Sequence, residues 1–326
     1  MSNSYDYTVG WICAIETEYI AARVFLDEEY QKPKVTSRNA FTVGRIGDHN
    51  VVIVLLPIGE YGTASSARAA EDMAHSFPNI RIGLMVGTGG GVYSPEHDIR
   101  LGDIVVSVPE NGQGGVFQYD FGKTIQGQKF QWTGFLNQPP TVLRSAVGEL
   151  KARYESDGHS LNDLITQALA KKPRLRKKFS RPNEVNDRLY RSDIIHPHNC
   201  EVSCAEHCGN DESRLISRHV RTEEEDNPKI HYGLIASANQ LMKDASVRDI
   251  LSMEKDVLCF EMEAAGLMNN LPCLVIRGIC DYADSHKNDD WQGYAAMAAA
   301  AYTMDLLRQV GPLEDVKRIR DSLSSG

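Results

Sequence analysis

Val257-Leu-Cys-Phe-Glu-Met-Glu-Ala-Ala-Gly266 and Cys273-Leu-Val-Ile-Arg-Gly-Ile-Cys-Asp-Tyr-Ala-Asp284 share one arrangement: carboxylates follow directly on an apolar run. An apolar run of this length reads as a buried strand. Two such strands, each ending in acids, place charge at the carboxyl edge of a sheet. In open α/β sheets that edge is where ligands bind. Leaving carboxylates at a half-buried edge is costly unless they have partners or a task. The functional region is therefore expected here.

Working outward, the remaining pattern alternates strands with helices and repeats nothing, which indicates α/β architecture. Thr8 to Ile15 reads as a first strand and Glu16 to Phe25 as a helix with two early acids. Phe41 to Gly47 and Asn50 to Leu56 read as a hairpin. Ser65 to Ser76 is an Ala-rich helix. Arg81 to Val86 is a buried strand that runs into a glycine turn at Thr88, Gly89 and Gly90. Asp103 to Val108, Gly115 to Tyr119 and Ile230 to Ser237 read as strands, and Trp291 to Arg308 as a long Ala-rich helix. The fold class expected is a three-layer α/β/α arrangement with a mixed central sheet. It forms one domain over residues 1–311, with a tail or linker over 312–326. Between about residues 141 and 227 the composition shifts, and this stretch reads as a helical and irregular insertion.

Composition narrows the function classes. The chain has 326 residues, 42% hydrophobic and 24% charged, as a globular protein with a real core requires. A net charge of −9 argues against general nucleic-acid binding, which needs excess Lys and Arg. No apolar run reaches the roughly 18 residues of a membrane helix. The N-terminus lacks the basic and apolar segments of a secretory signal. Seven cysteines without such a signal favour reduced thiols, so a cytoplasmic setting is expected. Cys13, Cys259, Cys273 and Cys280 fall in strands and read as small core residues.

Acids recur at strand-to-helix junctions: Glu16 or Glu18, Glu261, Glu263 and Asp281. Any one of them suits the first turn of a helix, where it complements the dipole. Jointly, on one side of a sheet, they suit a pocket that holds a sugar and meets developing positive charge.

At these residues the chain resembles the purine nucleoside phosphorylase and methylthioadenosine/adenosylhomocysteine nucleosidase superfamily. It is especially similar to the branch found as N-terminal domains of fungal NLR-like proteins. The matching segments are Cys13-Ala-Ile-Glu-Thr-Glu18, Met85-Val-Gly-Thr-Gly-Gly-Gly91, Ile99-Arg-Leu-Gly-Asp-Ile-Val-Val106, His231-Tyr-Gly-Leu-Ile-Ala-Ser237, Phe260-Glu-Met-Glu-Ala-Ala265 and Ile276 to Asp284. They occur in the family's order along nearly the whole chain.

The resemblance implies roles at matching positions. Glu18 corresponds to the acid that activates water, and Asp281 to the acid that protonates the purine at N7. Glu263 corresponds to the residue that binds the ribose hydroxyls, with Met262 packed on the sugar and Glu261 behind it. Thr88, Gly89 and Gly90 would lie beside the ribose; Ser237, Asn239, Leu241 and Met242 would flank the base. No cofactor is implied, and homo-oligomers are usual in the family. The chain departs from the bacterial nucleosidases at Ala238-Asn-Gln-Leu-Met242, where they carry an Asp and a Phe. That departure leaves the purine open, with adenosine or ATP favoured.

These roles agree with the chemistry. An N-glycosidic bond breaks through a sugar with oxocarbenium character, which nearby carboxylates stabilise. Hydrolysis of a purine nucleoside or nucleotide is favoured over phosphorolysis, because carboxylates beside the first strand repel phosphate. Arg68 lies in a helix from which it could reach the site. A nucleotide-sensing module that binds without cleaving is the non-enzymatic alternative.

Two features of the insertion stand apart. Lys171, Lys172, Arg174, Arg176, Lys177 and Lys178 read as a solvated surface or as a clamp for a nucleotide's phosphates, with Arg214, Arg218 and Arg221 in support. The run from His196 to Cys208 offers His196, His198, Cys200, Cys204, His207 and Cys208. It reads as one helix face or as a structural zinc site built from Cys200, Cys204, Cys208 and His207. No metal is expected in catalysis.

Overall fold

The computed structural model describes residues 3–197, 202, 204–209, 211–222, 225–271, 273–286 and 289–313. In chain order the first half comprises β1 (Val9–Cys13), α1 (Glu16–Val24), β2 (Glu28–Glu29), β3 (Ala40–Ile46), β4 (His49–Leu55), α2 (Thr63–Ser76), β5 (Ile82–Gly91), β6 (Ile104–Ser107) and β7 (Val116–Gln118). There follow β8 (Gly122–Lys123), β9 (Gln131–Trp132), α3 (Thr141–Asp157), α4 (Leu161–Ala170), α5 (Arg176–Phe179) and α6 (Cys204–His207). The chain then returns to the sheet with β10 (Ile230–Ser237), α7 (Ala245–Lys255), β11 (Val257–Glu261), α8 (Ala264–Leu267), β12 (Cys273–Asp281) and α9 (Gln292–Gln309).

The central sheet is mixed, in the order β11-β10-β6-β12-β5-β1-β4-β3-β2, with β7 on β10. The last strand of that path turns back: Cys259 and Phe260 of β11 pair antiparallel with Gly91 and Gly90 of β5. Five strands therefore close on themselves. β12 lies parallel to β5, with Cys273 opposite Gly83 and Gly278 opposite Thr88. This register sets the end of β12 beside the glycine-rich end of β5.

Expected elements differ from the fold at one place that matters. Gly87 to Gly91 form no turn; they are the outer half of β5. Glycine composition reads as a turn in isolation, but here the closing strands supply ladder partners on both sides.

Strands β1, β11 and β12 are buried along their whole length, as parallel strands covered on both faces are. Helix α9 is built from Ala295, Ala296, Ala298, Ala299, Ala300 and Ala301, all buried, which lets it lie close against β5 and β12. α1, α3, α4 and α5 pack around α9, while α2 and α8 pair with each other. The first part of the insertion thus adds Leu143, Leu150, Ile165 and Leu169 to the main core. Its later part is tied down by ion pairs: Arg221 grips buried Asp103 with both nitrogens at 2.7 and 2.6 Å, and His231 adds a contact at 3.0 Å. Burial alone would raise the Asp103 carboxyl; Arg221 and His231 outweigh it and hold it well below the ordinary range. Among the described residues no helix is long and apolar enough to cross a membrane, and Cys13, Cys204, Cys208, Cys259, Cys273 and Cys280 are unbridged. The expected tail lies, from residue 314, outside the described residues.

Candidate active site

A cavity of about 400 Å³ opens at the carboxyl ends of β1, β5, β11 and β12. Its wall includes Glu18, Thr88, Gly89, Gly90, Leu241, Met242, Glu261, Met262, Glu263 and Asp281. These ten residues come from five separate stretches of sequence.

Each acid is held by the local backbone. β1 ends at Cys13 and α1 begins at Glu16, so Glu18 sits in the first turn of the helix and folds back over the junction. Its Oε2 accepts from the N–H of Ala14 at 2.8 Å and Ile15 at 3.2 Å. Its Oε1 accepts from the N–H of Thr88 at 2.8 Å. Glu16, the alternative at this junction, is exposed. Glu261 closes β11 and accepts from the N–H of Glu263 at 3.0 Å and of Ala264, anchoring the start of α8. Glu263 accepts from the N–H of Gly62 at 3.2 Å. Asp281 closes β12, and its Oδ1 accepts from the N–H of Ala283 at 2.9 Å.

Beneath them lies Arg277, 1% exposed, from the middle of β12. Its guanidinium contacts Glu261 directly, Glu263 at 3.4 Å and Glu18 at 3.9 Å. It also donates to the Thr88 carbonyl at 3.3 Å. Burial would lower the pKa of Arg277, but Glu261, Glu263 and Glu18 outweigh this and keep it charged. One cation cannot neutralise three carboxylates. Burial pushes the Glu18 carboxyl up, against the pull of Arg277 and the three N–H donors. Burial also pushes Glu263 up, to about 7, with Arg277 opposing and Glu261 and Glu18 adding repulsion. Glu18 and Glu263 therefore hold their protons more tightly than ordinary carboxyls do.

The glycines of β5 make room for these carboxylates. A Cβ on Gly87 would stand 2.3 Å from Glu18 Oε1, and one on Gly90 would stand 2.7 Å from Asp281 Oδ1. Any side chain there displaces an acid.

Not every expected residue reaches the cavity wall. Ser237 is fully buried, and its hydroxyl accepts from the Ala265 N–H at 3.0 Å. Asn239 turns away to accept from the Thr63 N–H and hydroxyl, both at 2.9 Å. The wall instead gains Gln240, Phe260, Tyr61, Asp289 and Gln292. Phe260 and Tyr61 supply aromatic surface missing from the 238–242 stretch.

The basic stretch does not surround the site. Lys171, Lys172, Arg174 and Lys177 are exposed, and Arg176 donates to the carbonyls of Leu169 and Ala170, capping α4. Lys178 alone approaches, donating to the Thr17 hydroxyl at 2.7 Å. Arg214 donates to the Cys208 carbonyl, Arg218 pairs with Asp187, and Arg221 with Asp103. Arg68 pairs with Glu60 at 2.6 Å and lines a different cavity. No Lys or Arg stands on the cavity wall among the described residues.

Of the expected zinc ligands, Cys200 and His198 lie outside the described residues. Among the described residues no three His, Cys, Asp or Glu side chains form a metal-holding group. Cys208 is buried, with its sulfur 3.3 Å from His196 Nδ1; Cys204 is half-buried and His207 exposed.

Arg277 is the residue sequence reading passed over. It stood inside a quoted apolar run, and a charge in the middle of a buried strand was itself the signal.

A mixed, partly closed sheet with an acid-lined cavity at its strand ends defines a nucleoside-phosphorylase-type α/β protein. The chain belongs to the phosphorylase superfamily, whose sequence profile matches residues 8–308. An NLR-like protein of Hyaloscypha variabilis is 44% identical over 311 residues, which is 94% of this chain and 30% of that protein. The ATP nucleosidase Cap17 of Escherichia coli is 36% identical over 80 residues, 23% of this chain and 16% of that protein. The chain thus spans less than a third of either curated relative. In fold it matches the 5′-methylthioadenosine/S-adenosylhomocysteine nucleosidase of Neisseria meningitidis, with a TM-score of 0.57 at 16% identity, covering 92% of this chain and 98% of that one.

Proposed function

We propose that this protein hydrolyses the N-glycosidic bond of a purine nucleoside or nucleotide built on adenosine, releasing free base and ribose or ribose phosphate. The observation that carries the reading is the meeting of Glu18, Glu263 and Asp281 on one cavity wall.

The chemistry balances with these groups alone. Asp281 donates a proton to purine N7 while the C1′–N9 bond breaks and its electron pair leaves with the base. Water beside Glu18 and Thr88 attacks C1′ and passes a proton to Glu18 as the new C1′–O bond forms. The raised proton affinity of Glu18 makes it a stronger base than an ordinary carboxylate. Glu263 grips the 2′- and 3′-hydroxyls, which fixes the sugar, and Met262 packs on its face. Carboxylates around the ring stabilise the positive charge that develops on it. Arg277 keeps Glu18, Glu261 and Glu263 in place without itself standing on the wall.

Phosphorolysis fits less well. Phosphate in the water's position would face Glu18, and the nearest cation, Arg277, is buried among three carboxylates. Arg68, the remaining cation considered for this role, is committed to Glu60. The local likeness to an ATP nucleosidase supports a 5′-phosphorylated substrate, and Lys178, bonded to Thr17, is the member of the basic stretch that comes within one residue of Glu18.

The test is base release from adenosine, AMP, ATP, guanosine, inosine and methylthioadenosine, with and without added phosphate. Adenine with free ribose (or its 5′-phosphates) in phosphate-free buffer is the expected result. Strict dependence on phosphate, with ribose 1-phosphate as product, would replace hydrolysis by phosphorolysis. Tight purine binding with no base released would leave a sensor.

A further inference from the structure

Asp281 and Ala283 line the cavity, while Tyr282 between them points the other way, into a fully buried site behind the wall. Two arginines and two acids surround it. The Tyr282 hydroxyl donates to Asp187 and accepts from Arg218 Nη1 at 2.6 Å. Arg218 closes the triangle on Asp187, at 3.1 Å from its carboxylate and 3.1 Å from its carbonyl. From α7, Arg248 donates to the Tyr282 carbonyl at 2.7 Å and stands 3.7 Å from Asp284. Tyr282 is thus held at its phenol end and at its backbone, and Asp187 and Arg218 both come from the insertion.

We infer that the insertion positions the acid: Asp187 and Arg218 clamp Tyr282 and thereby fix the turn that presents Asp281 to the purine. The inference rests on the nucleosidase reading and adds a device to it. Its physical basis is the cost of the arrangement. A half-buried Asp–Arg pair is rarely the most stabilising way to fill space, and fixing one geometry is a use to which such pairs are put in some proteins. The turn needs such enforcement, because Ala283 adopts φ of +51°, a left-handed conformation that a Cβ disfavours. Burial, then the Asp187 charge, pushes the Tyr282 phenol far up, so the hydroxyl keeps its proton and goes on donating to Asp187. None of these three residues touches the cavity, so each acts through Asp281.

The experiment compares wild type, Tyr282→Phe and Asp187→Asn in the full chain. Adenosine and ATP serve as substrates, and kcat, KM and the pH profile are read with thermal melting as control. The phenylalanine keeps the ring and loses the clamp's hydroxyl; the asparagine keeps shape and loses charge, and it serves if the first variant fails to fold. A roughly tenfold to hundredfold loss in kcat is expected, with KM changed far less, because a misplaced acid transfers its proton poorly. A folded variant with the wild-type kcat and pH profile overturns the inference. Should wild type itself release no base, the nucleosidase reading fails, and the clamp is judged by amide exchange instead. Exchange at residues 281–284 accelerated at least tenfold in Tyr282→Phe, with β1 unchanged, sustains it; unaltered exchange there ends it.

Discussion

Arg277 Nη1 stands 3.9 Å from Glu18 Oε1, a charge pair formed between the middle of one buried strand and the first turn of the helix after another. Glu261 and Glu263 share the same guanidinium. Three acids thus depend on one cation, and several consequences can be measured.

Removing that cation should be severe. Arg277→Met leaves buried carboxylates without their counter-charge, which costs about 3–5 kcal/mol. Lowering the pH should restore part of the loss, because the abandoned acids then protonate. Urea unfolding at pH 5 and pH 8 checks this; equal losses at both values would contradict it.

Glu263 makes stability depend on pH in its own right. Its folded pKa of about 7 lies above the ordinary value of 4.5, so the folded state binds the extra proton between those limits. Its contribution is therefore most favourable below about 4.5 and is lost as pH rises toward 7, by roughly 3 kcal/mol in all. Glu263→Gln removes this dependence. The stability difference between variant and wild type should drift in the variant's favour from pH 4.5 to 7 and then level off.

Glu18→Gln should retain the fold and lose base release by about a hundredfold or more, the scale of a missing general base. In wild type the acid limb of kcat/KM should fall above 4.5, since burial lifts the Glu18 carboxyl. An acid limb at or below 4.5 would remove Glu18 from that role.

Gly87→Ala places a methyl 2.3 Å from Glu18 Oε1, and it should mimic Glu18→Gln in activity while also lowering the melting temperature. An alanine variant with normal turnover would show that Glu18 need not sit where it does.

Arg68→Ala should leave base release and its indifference to phosphate unchanged, since that side chain lies on another cavity. A selective loss of phosphate-dependent turnover would revive the phosphorylase reading.

The acids at strand ends were legible in the chain because each follows an apolar run, and local order suffices to read that. The same runs gave β11 and β12. The glycine segment of β5 misled because composition reports what a glycine permits, whereas the paired strands decide what it does. Asn239 and Ser237 were close in sequence to the cavity wall, yet hydrogen bonds to Thr63 and Ala265 drew them off it.

Sequence by itself determined the α/β order and which carboxylates end the strands, since these follow from local hydrophobic pattern and short-range spacing, while the family was carried by the resemblance of its motifs. Only the tertiary structure decided that Arg277 pairs with the three acids, that Arg218 and Asp187 hold Tyr282, and that the exposed basic run largely bypasses the site. Those contacts join residues as far as 259 positions apart, as between Arg277 and Glu18. Charge pairing at such range depends on which strands close beside one another, and no local pattern encodes that.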